Sequence, residues 1–263
     1  MTDTREIKVT FPDGSTVVTP FGTNLTELCE RYKDNYKSMI VAAKVDNDTK
    51  ELTYALNSDC RIEFLDMTHE DGMRIYRRSL YFILVKAVHD LFPDRKVIIS
   101  HSISKGVYCE IIGETELTSS ETDMIEKKMR ELVDACLPFV KRITSVDDAK
   151  EFFEKIGRTD RYHAIEHRNK SYATLYNCGG FDDYFYGYMV PDTGYIKLFE
   201  LKFYSPGLII RFPEKTNPDI IPEFKEQRKL FNIFTEFKKW NKILGVDNVG
   251  AVNDIIKEGK VND

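Results

Sequence analysis

A chain of 263 residues, 42% hydrophobic and 31% charged, can bury one large core or two ordinary ones, which excludes disordered and collagen-like classes. Its formal net charge of -5 excludes a protein that coats nucleic acid by general phosphate neutralisation, so any RNA contact must be local. The five cysteines lack CxxC spacing, the start MTDTREIKV lacks a signal-peptide core, and the longest apolar stretch, Leu80 to Val88, carries Lys86 and is far short of the roughly 20 residues of a bilayer span, which together predict a cytoplasmic protein with no membrane partner.

The string EIKVTFPDGSTVVTP predicts a hairpin, because Pro12 pre-sets its backbone angle and Gly14 accepts a left-handed one. Asn24 or Thr26 caps a helix from Leu25 to Asn35, with Leu25, Leu28, Cys29 and Tyr32 at helical spacing. Strand patterns follow at 39–45, 51–56 and 61–65. Hairpin, helix and strands in this order give a small β-grasp, one helix covering a mixed sheet.

From Met73 to Phe92 the pattern is helical and apolar on most sides, so a deeply buried helix is expected, stopped by Pro93. Paired strands at 96–101 and 107–112 flank a turn at Ser104-Lys105-Gly106. Ser119 or Ser120 caps a helix that runs to about Pro138, and further helices fit 146–156 and 158–167. A strand at 172–176 leads into YNCGGFDDYFYGYMVPDTGYIKLFELKFYSPGLIIRFP, where glycine and proline turns separate short strands. Within it, alternation from Tyr195 to Phe203 predicts a half-buried strand and Leu208 to Ile210 an inner one. An amphipathic helix ended by Gly245 and a shorter one at 249–257 close the chain.

These strings carry resemblances. IKVTFPDGS, the helix after it and the AAKVDN strand resemble the TGS domain of threonyl-tRNA synthetases, stringent-response proteins and GTPases. The helix ending LFPD, the pair IISHSISKGVYCEI and the string VPDTGYIKLFEL resemble the second additional domain of threonyl- and alanyl-tRNA synthetases, which edits mischarged tRNA in the former. YFYGYMVPDTGYI, YSPGLIIRFP and LFNIFTEFKKWNKILGVDNVGAVNDII resemble the TGS-containing nucleoside (uridine) kinases of bacteria. The resemblance implies an α+β chain: a β-grasp domain over 1–66, an editing-domain-like α+β domain over 67–222, and a helical linker over 223–263 leading to a P-loop kinase domain. No GxxxxGK[ST] loop occurs here, so ATP and Mg are expected only for that further domain and no cofactor for this chain.

An editing site surrounds its aminoacyl ester with an HxxxH pair, a later Cys and a His. On the LFPD alignment the first two positions are Arg78 and Phe82. The Cys is kept as Cys178, and Asp182 stands for the last His. Neither Arg nor Phe serves as a neutral-pH base or metal ligand, so no catalytic or metal residue is expected. Lys105 and Tyr108, in the hairpin at the place of the synthetase's glycine-aromatic one, and Asp183 complete the candidate cleft. Arg74, Arg77 and Arg78 with Lys105 form an anion-binding rim if Arg78 turns into that cleft.

His163 and His167 in HAIEH lie one helical turn apart but have no third ligand in the string, so exposed histidines are the plainer reading. Tyr184, Phe185, Tyr186 and Tyr188 fit base stacking or strand packing. Asp182 and Asp183 fit a cation or sugar site, or a turn. Three functions stay open: a regulatory, ligand-binding portion of a nucleoside kinase, with that kinase domain, a nucleotide or a second copy as partner; a module that binds the acceptor end of tRNA; and a residual aminoacyl-ester hydrolase.

Overall fold

The computed structural model describes residues 5–166 and 170–243. By contacts the chain divides into two units, one of residues 1–139 with 187–224, the other of 140–186 with 225–263. The predicted helix at 249–257 and the Gly245 stop of the helix before it lie outside the described residues.

The first unit begins as the predicted hairpin, β1 (Glu6–Thr10) and β2 (Thr16–Pro20). The Asp13 carboxylate accepts from the Ser15 N–H at 2.8 Å, and Gly14 takes a φ of 83°. Asn24 caps α1 (Leu25–Tyr32) by accepting from the Thr26 N–H, and a single 3-10 turn continues it to Asn35. β3 (Ile40–Val45), β4 (Asp48–Glu51) and β5 (Cys60–Asp66) complete a sheet of order β2-β1-β5-β3-β4, in which only β1 and β5 run parallel. Leu25 and Leu28 of α1 are fully buried against Val9 and Ile62 in this β-grasp core.

The strand expected at 51–56 is displaced. Asp46 and Asn47 both adopt positive φ, making a two-residue turn that starts β4 at Asp48 and ends its ladder at Glu51. Leu52 and Leu56 instead plug the core from a loop, and their main chain bonds to Thr26 and Thr23.

α2 (Glu70–Leu91) starts earlier than its apolar stripe, because the His69 imidazole accepts from the Asp71 N–H. Its first turn lies so close to β5 that a Cβ on Gly72 would sit 2.1 Å from the Asp66 carbonyl oxygen. Leu80, Ile83, Leu84, Ala87 and Val88 are fully buried, as the sequence predicts. β6 (Lys96–Ile103) and β7 (Gly106–Ile112) turn through Ser104 and Lys105, again at positive φ. α3 (Ser119–Asp134) is capped one residue before the expected serines. The Thr118 hydroxyl accepts from the Glu121 N–H and the Glu121 carboxylate accepts from the Thr118 N–H. It ends at Asp134, short of Pro138, where Cys136 takes a left-handed φ of 46°.

The second unit contains a strand that the sequence pattern missed, β8 (Val140–Ser145), whose residues are nearly all exposed and so carry no periodic signal. After α4 (Val146–Lys155) and α5 (Thr159–Glu166), β9 (Tyr172–Cys178) lies between β8 and β10 (Phe181–Tyr184) in an antiparallel sheet. Ala173 and Leu175 bury against Ala149, Phe153 and Ile165 of the two helices.

The chain returns to the first unit as β11 (Glu200–Tyr204) and β12 (Gly207–Arg211), giving a sheet of order β11-β12-β7-β6. β12 is inner and buried at every residue, as expected. The strand predicted from Tyr195 begins only at Glu200. Before it, residues 188–198 form no strand and hold a 3-10 turn at Thr193–Tyr195, with α2 and α3 supplying partners in place of a ladder. Tyr76 Oη accepts from the Leu198 N–H and donates to its carbonyl, Ser79 Oγ accepts from the Val190 N–H, and buried Thr193 bonds Leu132 and Leu137. α6 (Arg228–Ile243) ends the described chain.

Candidate nucleic-acid interface

Of the seven candidate residues, Arg78, Phe82, Lys105 and Tyr108 belong to the first unit and Cys178, Asp182 and Asp183 to the second. Arg78 does not join its neighbours. Its guanidinium donates to the Tyr188 carbonyl at 2.7 Å and lies flat on Gly187, where a Cβ would meet it at 2.5 Å. Phe82 is fully buried, edge-on to Phe139 at 5.4 Å between ring centroids. Tyr108 is buried on β7 beside His101 and Tyr204, and burial pushes its phenol up.

In the second unit Cys178 is fully buried on β9. Asp183 is fully buried too, as a structural anion: Arg161 donates to both its oxygens, at 2.8 and 3.0 Å, and Arg158 lies 3.7 Å away. Asp182 accepts from Asn177 and pairs with Arg142. The paired acids are therefore strand residues with protein partners, not turn residues. Of the aromatics beside them, Tyr186 is 70% exposed. His163 lies 3.4 Å from Glu166, whereas His167 lies outside the described residues. Among the described residues, no group of three or more His, Cys, Asp or Glu side chains is placed to hold a metal ion.

The basic residues do converge. Arg74 and Arg77 on α2, Lys105 at the β6–β7 turn, and Lys215 after β12 line a pocket of about 300 Å³ with Phe212 on one wall. The Arg77 guanidinium stands over the Phe212 ring at 4.8 Å and donates to Tyr81 Oη at 3.1 Å. Burial raises the Tyr81 phenol, so it stays neutral as the acceptor. Four cations here face two carboxylates, Glu70 and Glu214. The pairs Arg74–Glu70 (2.6 Å) and Lys105–Glu214 (2.7 Å) are solvent-exposed and therefore exchange readily for another anion. Sequence spacing signalled Arg74, Arg77 and Lys105. It missed Lys215 and Phe212, which reach the pocket from more than a hundred residues away.

An anion fits this chemistry: the guanidiniums and ammonium groups bind oxygens, and Phe212, buried beneath Arg77, backs the cationic wall. No described helix is long and apolar enough to cross a membrane.

No protein-family model matches the chain. It is similar to the threonine–tRNA ligase of Geobacter sp. (strain M21), 32% identical over 197 residues, covering 75% of this chain and 31% of that one. The ligase of Desulforamulus reducens is 31% identical over 196 residues, covering 74% of this chain and 31% of its own. That of Francisella tularensis subsp. novicida is 28% identical over 195 residues, with the same coverage of 74% and 31%. The chain thus spans less than a third of the length of these relatives, which are named as tRNA ligases and not as nucleoside kinases.

Proposed function

We propose that this chain is an RNA-binding module that holds the acceptor end of a tRNA without cleaving its ester. The observation that carries this reading is the pocket where Arg74, Arg77, Lys105 and Lys215 surround Phe212, a local cationic and aromatic patch on a chain whose net charge is -5. Similarity to threonine–tRNA ligases over three quarters of the chain supports tRNA as the nucleic acid. Ester cleavage is disfavoured because Arg78 is committed to the Tyr188 carbonyl and Phe82 to the core, which leaves neither expected imidazole position a base.

The test is fluorescence anisotropy with a labelled tRNA acceptor-stem minihelix across a potassium chloride series. Affinity falls with salt, and Arg74→Gln with Lys105→Gln lowers the slope of log affinity against log salt by about two. Binding that ignores both salt and the double variant overturns the reading, and release of the amino acid from a mischarged tRNA by the intact chain overturns its non-hydrolytic part.

The parent protein is a separate proposal. A P-loop nucleoside kinase beyond Asp263 rests on the resemblance of YFYGYMVPDTGYI, YSPGLIIRFP and the LFNIFTEF segment alone. The gene sequence after that residue tests it: a Walker-type loop supports the kinase, and an aminoacylation domain replaces it.

A further inference from the structure

We propose that a second cavity, between the β-grasp and residues 192–197, binds a phosphate-free nucleoside: a planar heteroaromatic ring carrying hydroxyl or amine donors. The cavity encloses about 740 Å³ and shares no lining residue with the Arg77–Phe212 pocket. Its volume lies in the range of about 300–1,000 Å³ that small-molecule sites occupy.

Two tyrosines supply its aromatic surface. Tyr195 packs on the β-grasp core, and burial pushes its phenol up to about 12, so the hydroxyl stays a neutral donor. Tyr36 is fixed edge-on against Phe64 at 5.9 Å. Cys29 and Ile40 form apolar floor, and burial holds the Cys29 thiol protonated, at about 11.

The charges select the ligand. Lys33 is neutralised by Glu30 at 2.7 Å. Asp192 accepts the Gly194 N–H at 2.8 Å and, among the described residues, has no cationic partner, whereas Asp34 at the rim acts with Glu30 on Lys33. Burial raises the Asp192 carboxyl, against the lowering effect of its bond from Gly194. Two cations, Lys33 and Lys197, line the cavity against three carboxylates, Glu30, Asp34 and Asp192. A ring with a diol or an exocyclic amine supplies donors to Asp192, whereas a phosphate adds like charge.

The molecule carries its own reporter. Of the five cysteines only Cys136 is exposed, and it lines this cavity, close enough that a Cβ on Gly194 would lie 2.7 Å from its Sγ. The experiment follows alkylation of Cys136 by iodoacetamide in the full chain, with adenosine, guanosine, cytidine, uridine or their 5′-monophosphates. At least one nucleoside slows labelling severalfold, and its monophosphate does so less. Asp192→Asn, which keeps the acceptor for Gly194, narrows that difference. Ser38→Phe, which fills the cavity from a loop position, abolishes protection without changing the melting temperature. Equal labelling with and without every nucleoside overturns the proposal, as does protection that survives Ser38→Phe or is as strong with the monophosphates. Minihelix binding is unchanged by Ser38→Phe, so failure here is distinct from failure of the RNA reading.

Discussion

Arg78 and Tyr188 are joined by a 2.7 Å hydrogen bond from guanidinium to main-chain carbonyl, across 110 positions of sequence. The bond ties α2 to the irregular segment before β11, while Arg77, one residue earlier, points to Phe212. Adjacent residues on a helix face directions about 100° apart, so two neighbouring arginines have separate duties. Arg78→Ala therefore lowers stability by about 1.5–3 kcal/mol, measured by urea unfolding, and leaves minihelix affinity unchanged. A loss of affinity without loss of stability would place Arg78 in the RNA pocket after all.

Asp183 anchors the second unit. Its carboxylate is fully buried and paired with Arg161 and Arg158. Asp183→Asn keeps the shape but removes the buried charge that Arg161 and Arg158 face, at a cost of about 3–5 kcal/mol. Hydrogen exchange checks the location: amides of β9 and β10 lose protection, and those of the β-grasp sheet keep it.

Gly72 is set by space. Any Cβ there enters the Asp66 carbonyl, so Gly72→Ala forces α2 away from β5 and costs about 1–3 kcal/mol. Thermal unfolding of the two chains reads the difference.

The cap of α3 gives a pH-dependent prediction. Arg95, donating at 2.8 Å, and then the Thr118 N–H hold the Glu121 carboxyl below the usual glutamate range. A carboxyl lowered in the folded state adds stability above its ordinary pKa of about 4.3 and loses it as pH falls through the lower folded value. Glu121→Gln removes that part of the acid dependence in a urea series, and Thr118→Ala costs about 1 kcal/mol at neutral pH.

The sequence by itself determined the elements whose periodicity is strong and whose caps are local. α1 with Asn24, the apolar stripe of α2, the turn at Ser104-Lys105 and the inner strand at Leu208 to Ile210 are all set by residues within a few positions of one another. Tertiary structure decided the rest. β8 is a strand because β9 offers it a ladder, although its own residues stay exposed, and 195–199 is not one because a 3-10 turn bonds Ile196 back to Thr193 while Tyr76 of α2 and Arg130 of α3 bond the main chain of Leu198, Lys197 and Phe199. The site follows the same division. Spacing brought Arg74 and Arg77 to one helix, but Phe212 and Lys215 meet them only because β12 is drawn into the sheet beside β7, and burial that distant in sequence leaves no local pattern.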